Sequence, residues 1–285
     1  RDLNVGGFGD PVTYRINDTA GNQVGTYTTP TYRLANRVDT RWRSLNQVEN
    51  GGRSFYDGLA LQMRKRFSKM WEGSIAYTWS HAIDYNQSGA NNNIFYSGRP
   101  TSLFNGDYKQ DKSTSALDQR HRFTGNAIFT PVFTKKTDKF SRLVVNGWQL
   151  SNIFTGASTQ PQTPTIFVSG NPFAGAAFTN TLNGFGGSTR VPFVPAASLF
   201  VGTVARLDSR LTKILAISER YQLFLNFEAF NVFNNTYNTS VNGQAFQATN
   251  GVLSVTPRLG EGSASQGFPD GTNARRAQFS VRFVF

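Results

Sequence analysis

The sequence predicts an all-β fold, an antiparallel transmembrane β-barrel, and three observations predict it. Stretches of ten or more residues alternate apolar and polar side chains with period two. Phe occurs 25 times in 285 residues although only 38% of the chain is hydrophobic. Short polar turns alternate along the chain with long stretches rich in Gly, Asn and Ser. Period-two strands also build soluble propellers and sandwiches, but those strands run nearer five or six residues. Ten residues suit a tilted strand crossing a bilayer.

Composition supports the same class. A soluble core this rich in Phe would carry more Leu, Ile and Val beside it. Aromatic side chains interleaved with polar ones, and a negative mean hydropathy, fit a wall that is apolar outside and polar inside. No run of eighteen apolar residues exists, which excludes a transmembrane helix and leaves strands untouched. There is no cysteine, hence no disulfide, thiolate metal site or cysteine nucleophile. The chain opens Arg1-Asp2-Leu3-Asn4 without Met or an apolar leader. An exported protein needs a secretory signal, so a processed or truncated start is expected. The net charge of +12 raises nucleic acid as a partner. Lys and Arg sit singly at strand ends and in turns, with no basic helix face, so no nucleic-acid partner is expected.

The elements follow in order. Residues 1–38 read as loop, with one strand near 13–16, and residues 39–285 as barrel strands. Residues 39–48 are a possible first strand. Over residues 57–67, Leu59, Leu61, Met63 and Phe67 alternate with Gly58, Ala60, Gln62, Arg64 and Arg66. A turn at 68–72 leads to 73–83, where Ile75, Tyr77 and Trp79 oppose Ser74, Ala76, Thr78 and Ser80. Residues 120–133 and 142–155 pair across a Lys-rich turn at 134–141. Residues 205–217 and 221–233 pair across 218–220, with Leu207, Leu211 and Leu215 opposite Arg206, Asp208 and Arg210. In the second of these, Leu223, Leu225 and Phe227 oppose Gln222, Asn226 and Glu228. Residues 275–285 form the last strand. This makes seven strands and a possible eighth. The stretches 84–119, 156–204 and 234–274 are too long and polar for connections in a compact domain. They are expected as long extracellular loops, with the short turns on the periplasmic side.

The chain ends on Ala277, Phe279, Val281, Phe283 and Phe285, alternating with Arg276, Gln278, Ser280, Arg282 and Val284. A terminal Phe on such a strand resembles the signal read by the bacterial outer-membrane assembly machinery, which makes Phe279, Val281, Phe283 and Phe285 the expected assembly signal. Further segments carry a narrower resemblance. Ser54-Phe55-Tyr56-Asp57-Gly58-Leu59-Ala60-Leu61-Gln62, Tyr77-Thr78-Trp79-Ser80-His81-Ala82-Ile83-Asp84 and Asp118-Gln119-Arg120-His121-Arg122-Phe123 are similar to Oar-like TonB-dependent transporters. So are Asn146-Gly147-Trp148-Gln149-Leu150 and Glu228-Ala229-Phe230-Asn231-Val232-Phe233-Asn234. The resemblance spans roughly residues 50 to 285 in the family's order. It implies the C-terminal third of a barrel of about 22 strands, a ligand taken up across the outer membrane, and a TonB partner engaged through a plug domain that has no counterpart here. The other partners it implies are outer-membrane lipid and the assembly machinery.

Candidate sites are few. Arg206, Asp208, Arg210, Glu228, Arg276 and Arg282 fall on the lumen face. They read either as a charge ladder that stiffens the wall or grips a plug, or as an arginine path for an anionic ligand. Phe95, Tyr96, Phe104, Tyr108, Phe167, Phe173, Phe178 and Phe185 are the loop aromatics expected to contact ligand, with mutual loop packing as the alternative. His121 lies between two cations and His81 is forty residues away, so no metal site is expected. No nucleophile elbow or HExxH motif is present, and the Gly-rich run 183–187 lacks the Lys-Ser/Thr of a phosphate loop. The sequence therefore predicts no enzyme and no cofactor. The alternatives are a small self-contained outer-membrane barrel with an adhesive or structural role and, less favoured, a barrel-embedded hydrolase.

Overall fold

The computed structural model describes residues 2–45, 47, 52–85, 109, 112–171, 173–184, 191–218, 220–238, 240–263 and 274–285. Among these, the strands in chain order are β1 (Gly9–Asn17), β2 (Gln23–Thr31), β3 (Ser54–Ser68), β4 (Trp71–Asp84), β5 (Ser113–Thr114), β6 (His121–Phe129), β7 (Trp148–Ser158), β8 (Thr165–Val168), β9 (Thr203–Ala216), β10 (Gln222–Phe230), β11 (Ser240–Val241), β12 (Gln244–Thr249), β13 (Val252–Val255), β14 (Gly262–Ser263) and β15 (Arg276–Val284).

Seven long strands form one antiparallel sheet in the order β15-β10-β9-β7-β6-β4-β3, with β5 added beside β4. The register carries the period-two pattern intact from strand to strand. Trp71 lies opposite Phe129, Phe129 opposite Leu150, Leu150 opposite Leu211, Leu211 opposite Phe227, and Phe227 opposite Phe279. All six are solvent-exposed. The opposite face pairs Ser74 with Asn126, Arg210 with Glu228, and Asn226 with both Thr212 and Ser280. A one-residue slip would exchange these faces, so the alternation itself fixes the register. The sheet is not closed: among the described residues β3 pairs only with β4, and β15 only with β10.

Local chemistry sets the strand ends. Lys69 and Met70 both have positive φ, 50° and 73°, the conformation whose twist matches a tight hairpin. A bulge between Lys65 and Ser68 precedes it. The Lys65 ammonium donates to the Ser68 and Trp71 carbonyls, both at 2.9 Å, and lies 4.0 Å from the Trp71 ring centroid. The turn is thus tighter than the 68–72 span expected, and β4 starts at Trp71.

β6 stops at Phe129 instead of running to residue 133, because Pro131 has no N–H to continue the ladder. The expected strand at 142–155 starts only at Trp148, since Ser141–Val145 forms a π-helical turn. Asp138 accepts hydrogen bonds from the Ser141 N–H at 3.0 Å and hydroxyl at 2.7 Å. Asn146 accepts from the Phe133 N–H at 2.9 Å and donates to the Thr134 carbonyl at 2.7 Å. Gly147 follows with φ 82°, packed so closely on the Ile214 carbonyl that any Cβ would collide.

The second sheet corrects two expectations. Residues 1–38 are not a loop with one strand: β1 and β2 form a hairpin. Nor are the stretches 156–204 and 234–274 structureless, since they supply β8, β12 and β13. Together these make a five-stranded sheet, β2-β1-β13-β12-β8, in which β1/β13 and β12/β8 are parallel. Its core packs Tyr14, Ile166, Val168, Leu182, Val191, Ala245, Ala248 and Leu253. The described residues of 39–48 form no strand either. Their backbone is held by side chains, Asp2 accepting from the Leu45 N–H at 2.9 Å and Asn4 from the Asp39 N–H at 2.8 Å.

Candidate functional site

The polar face of the long sheet carries most of the charged candidates. Arg206 and Asp208 stand on one strand two residues apart, so period two puts both on the same side. The Arg206 guanidinium, 3% exposed, donates to Asp208 at 2.8 Å. Asp208 also accepts the Asn231 N–H at 2.8 Å, which ties the start of the following loop to β9. Arg210 and Glu228 face each other across β9 and β10 and form an ion pair. Arg276 sits 5.4 Å from the Phe230 ring centroid, its register partner. Arg282 is exposed opposite Phe224. Between the charges, Thr212, Asn226 and Ser280 form a hydrogen-bonded ladder over three strands, at 2.8 and 3.2 Å. The six charged candidates therefore share a face on β9, β10 and β15, with Arg206–Asp208 and Arg210–Glu228 joined directly.

At the loop end of the same face lies a cleft of about 490 Å³, lined among others by Tyr56, Thr78, Ser80, Asp84, Gln119 and Arg122. Asp118, 3% exposed, anchors its edge. It accepts the Ala82 N–H at 2.7 Å and pairs with Arg120 at 3.3 Å. Sequence reasoning did not single out Tyr56, Asp84 or Arg122 as a group. Their shared parity on β3, β4 and β6 was the available signal, but only the register brings them together.

The loop aromatics are dispersed. Phe173 lies under Arg33 at 5.1 Å, and Phe178 stacks on Tyr32 with Arg43 5.0 Å from its centroid. Both pack against the N-terminal segment. Phe167 is exposed on β8. Phe95, Tyr96, Phe104, Tyr108 and Phe185 lie outside the described residues. Gly184 is pinned rather than free: φ is 73° and a Cβ would strike the Tyr32 carbonyl. Tyr14 crosses the second sheet's core to donate to the Leu182 carbonyl at 2.6 Å. Burial, then the nearby Tyr27, pushes its hydroxyl up to about 12. In the 134–141 turn, the Ser141 hydroxyl and N–H hold the Asp138 carboxyl below its ordinary range.

His121 is on the apolar face, its Nδ1 2.9 Å from the Tyr77 hydroxyl with the rings stacked. His81 lies 3.4 Å from the Thr114 hydroxyl. Among the described residues no three His, Cys, Asp or Glu side chains converge as metal ligands.

A continuous exposed apolar face backed by a hydrogen-bonded polar one is the pattern of a membrane β-wall. The family comparison decides the class: a model described as an outer membrane beta barrel domain matches residues 5–266. The chain belongs to this family. Its place is the bacterial outer membrane, where hydrocarbon would cover an apolar face too large to leave bare in water. Comparisons with curated proteins and with solved structures return no match. As an outer membrane beta barrel domain, the chain crosses with strands; no helix among its described residues is long and apolar enough to span a bilayer.

Proposed function

We propose that this chain is part of the wall of a TonB-dependent transporter barrel of the Oar-like type, which takes up a ligand across the outer membrane. The observation that carries the reading is the open sheet. Among the described residues β3 and β15 are each paired on one side only, and such free edges would leave N–H and C=O groups bare in hydrocarbon, at several kcal/mol apiece. A wall completed by further strands of a larger barrel satisfies them. A self-contained small barrel would instead pair β3 with β15.

In this reading the loop connections and the β1–β2 hairpin lie outside the cell, and the short turns face the periplasm. β15 supplies the edge engaged by the barrel assembly machinery, with Phe279, Val281, Phe283 and Phe285 on its lipid side. The Arg206, Asp208, Arg210 and Glu228 network lines the lumen, and a plug domain relays energy from TonB. The wall performs no catalysis; Arg206 is tied to Asp208 along β9 and Arg210 to Glu228 across β9 and β10, in ion pairs rather than as nucleophile and base.

Energy-dependent uptake tests the proposal. Cells with and without the full-length gene are grown in the same medium, and solute depletion is compared by mass spectrometry with and without a protonophore. A solute depleted only by energised cells carrying the gene supports a transporter. Identical depletion profiles contradict it.

A further inference from the structure

The chain's positive charge is concentrated at one end of the long sheet. The three turn segments, residues 64–72, 130–148 and 213–221, hold ten Lys and Arg against three carboxylates, net +7 of the chain's +12. The β6–β7 turn is the largest of the three. Lys135, Lys136, Lys139 and Arg142 are exposed and have no side-chain partner among the described residues, and its one carboxylate, Asp138, is engaged by Ser141. Apolar side chains alternate with these cations: Val132, Phe133, Phe140 and Val144 are all more than half exposed.

Directly beside the turn, on the apolar face, lies a groove of about 300 Å³ lined by Phe129, Pro131, Phe133, Trp148, Leu150 and Leu211. The turn is held in place at its back. Lys213 projects from β9 onto the apolar face, where its ammonium donates to the Val144 carbonyl at 3.0 Å and to that of Asn146, and lies 4.8 Å from the Trp148 ring centroid. The Trp148 indole N–H donates to the same Val144 carbonyl at 3.1 Å.

We infer that the β6–β7 turn is a docking site for an anionic phospholipid, with an acyl chain in the Phe129–Trp148 groove and the headgroup phosphate on Lys135, Lys136, Lys139 and Arg142. Two features select that occupant. The groove is continuous with the membrane-facing surface of the sheet, so a lipid reaches it without leaving the bilayer. The cations stand at the rim, where headgroups lie, and their excess over carboxylate matches a phosphodiester. Each cation near an anionic bilayer surface contributes about fivefold in affinity. The inference rests on the turns facing the periplasmic leaflet, as proposed above.

The test uses the full-length protein in phosphatidylcholine vesicles carrying a minor share of either brominated phosphatidylglycerol or brominated phosphatidylcholine. Quenching of Trp148, isolated by difference from a Trp148→Phe variant, reports lipid in the groove. The expected result is at least tenfold tighter binding of phosphatidylglycerol, weakened by added salt and abolished in Lys135→Gln/Lys136→Gln/Lys139→Gln/Arg142→Gln. Should that variant not fold, the salt dependence of the wild type decides. Equal quenching by the two lipids, or a preference indifferent to salt, overturns the inference. The orientation is read separately, by labelling Lys136→Cys with a membrane-impermeant maleimide in intact cells. Labelling there overturns the orientation and with it the periplasmic phospholipid as occupant, whereas loss of lipid preference without labelling overturns the docking site alone.

Discussion

Replacing Tyr14 by Phe probes the join between the N-terminal hairpin and the loop-borne strands. The ring is 1% exposed and stays filled by Phe, so no cavity opens and the change is confined to one hydroxyl. That hydroxyl donates to the Leu182 carbonyl at 2.6 Å inside the second sheet's core. A net hydrogen bond contributes about 1 kcal/mol, and leaving its buried acceptor bare costs about 1–3. The expected loss is therefore about 1–3 kcal/mol, felt in β1, β12 and β13 and not in the long sheet.

Hydrogen exchange followed by mass spectrometry should show roughly fivefold or greater loss of protection in those three strands. The same side chain makes the second sheet alkali-sensitive. Its folded pKa, about 12, stands above the ordinary 10, so the folded state holds a proton that the unfolded state releases. The stability this provides is complete below pH 10 and is lost as pH rises toward 12. Absorbance titration of tyrosinate should find a group ionising near 12 in the wild type that is missing from Tyr14→Phe. Unchanged exchange protection together with an unchanged titration would refute the placement of Tyr14 in this core.

Three further outcomes follow from the long sheet. Glu228→Gln should cost about 1 kcal/mol in urea unfolding from micelles, a modest value because Arg210 is more than half exposed and its pairing is screened. A double-mutant cycle with Arg210→Ala should recover the coupling, and additive losses would show that the pair contributes nothing. Spin labels at Leu61, Trp79 and Phe279 should be reached by lipid-soluble relaxants, and labels at Thr78, Asn226 and Ser280 by aqueous ones; the reverse pattern means the faces are exchanged. Protease added to whole cells should cut within 84–119 and spare Lys135 and Lys136, and cleavage at either lysine would invert the orientation.

How far the sequence could be read divides along the two sheets. The long sheet was legible because each strand repeats one rule over nine or more residues, and each pairs with the next long strand along the chain. Leu59, Tyr77, Leu211 and Phe279 thus fall on one face with no knowledge of the partner strand. Its ends were less legible, because they turn on single residues such as Pro131, Asn146 and the positive-φ pair Lys69 and Met70. The second sheet was hidden. Arg15 pairs with Val252, and Phe167 with Gln247, so partners lie far apart in sequence. β8 and β13 are four residues each, too short to show a period. The charged candidates were placed on one face by parity alone, but which pairs they form depended on register. The loop aromatics carried no periodicity, and composition could not tell a ligand contact from the packing of Phe173 and Phe178 on arginines of the N-terminal segment.

If β3 and β15 belong to a wall completed by other strands, they are not neighbours. Cysteine pairs settle it in the full-length protein in its native membrane, with Ala60 or Gln62 on β3 combined in turn with each of Gln278, Ser280 and Arg282 on β15. A control pair, Thr212→Cys with Asn226→Cys, should oxidise readily, because the register sets those residues opposite each other with side chains 2.8 Å apart. The control is expected to cross-link and no β3–β15 pair to do so. A disulfide between β3 and β15 would instead show a small closed barrel with no further wall strands.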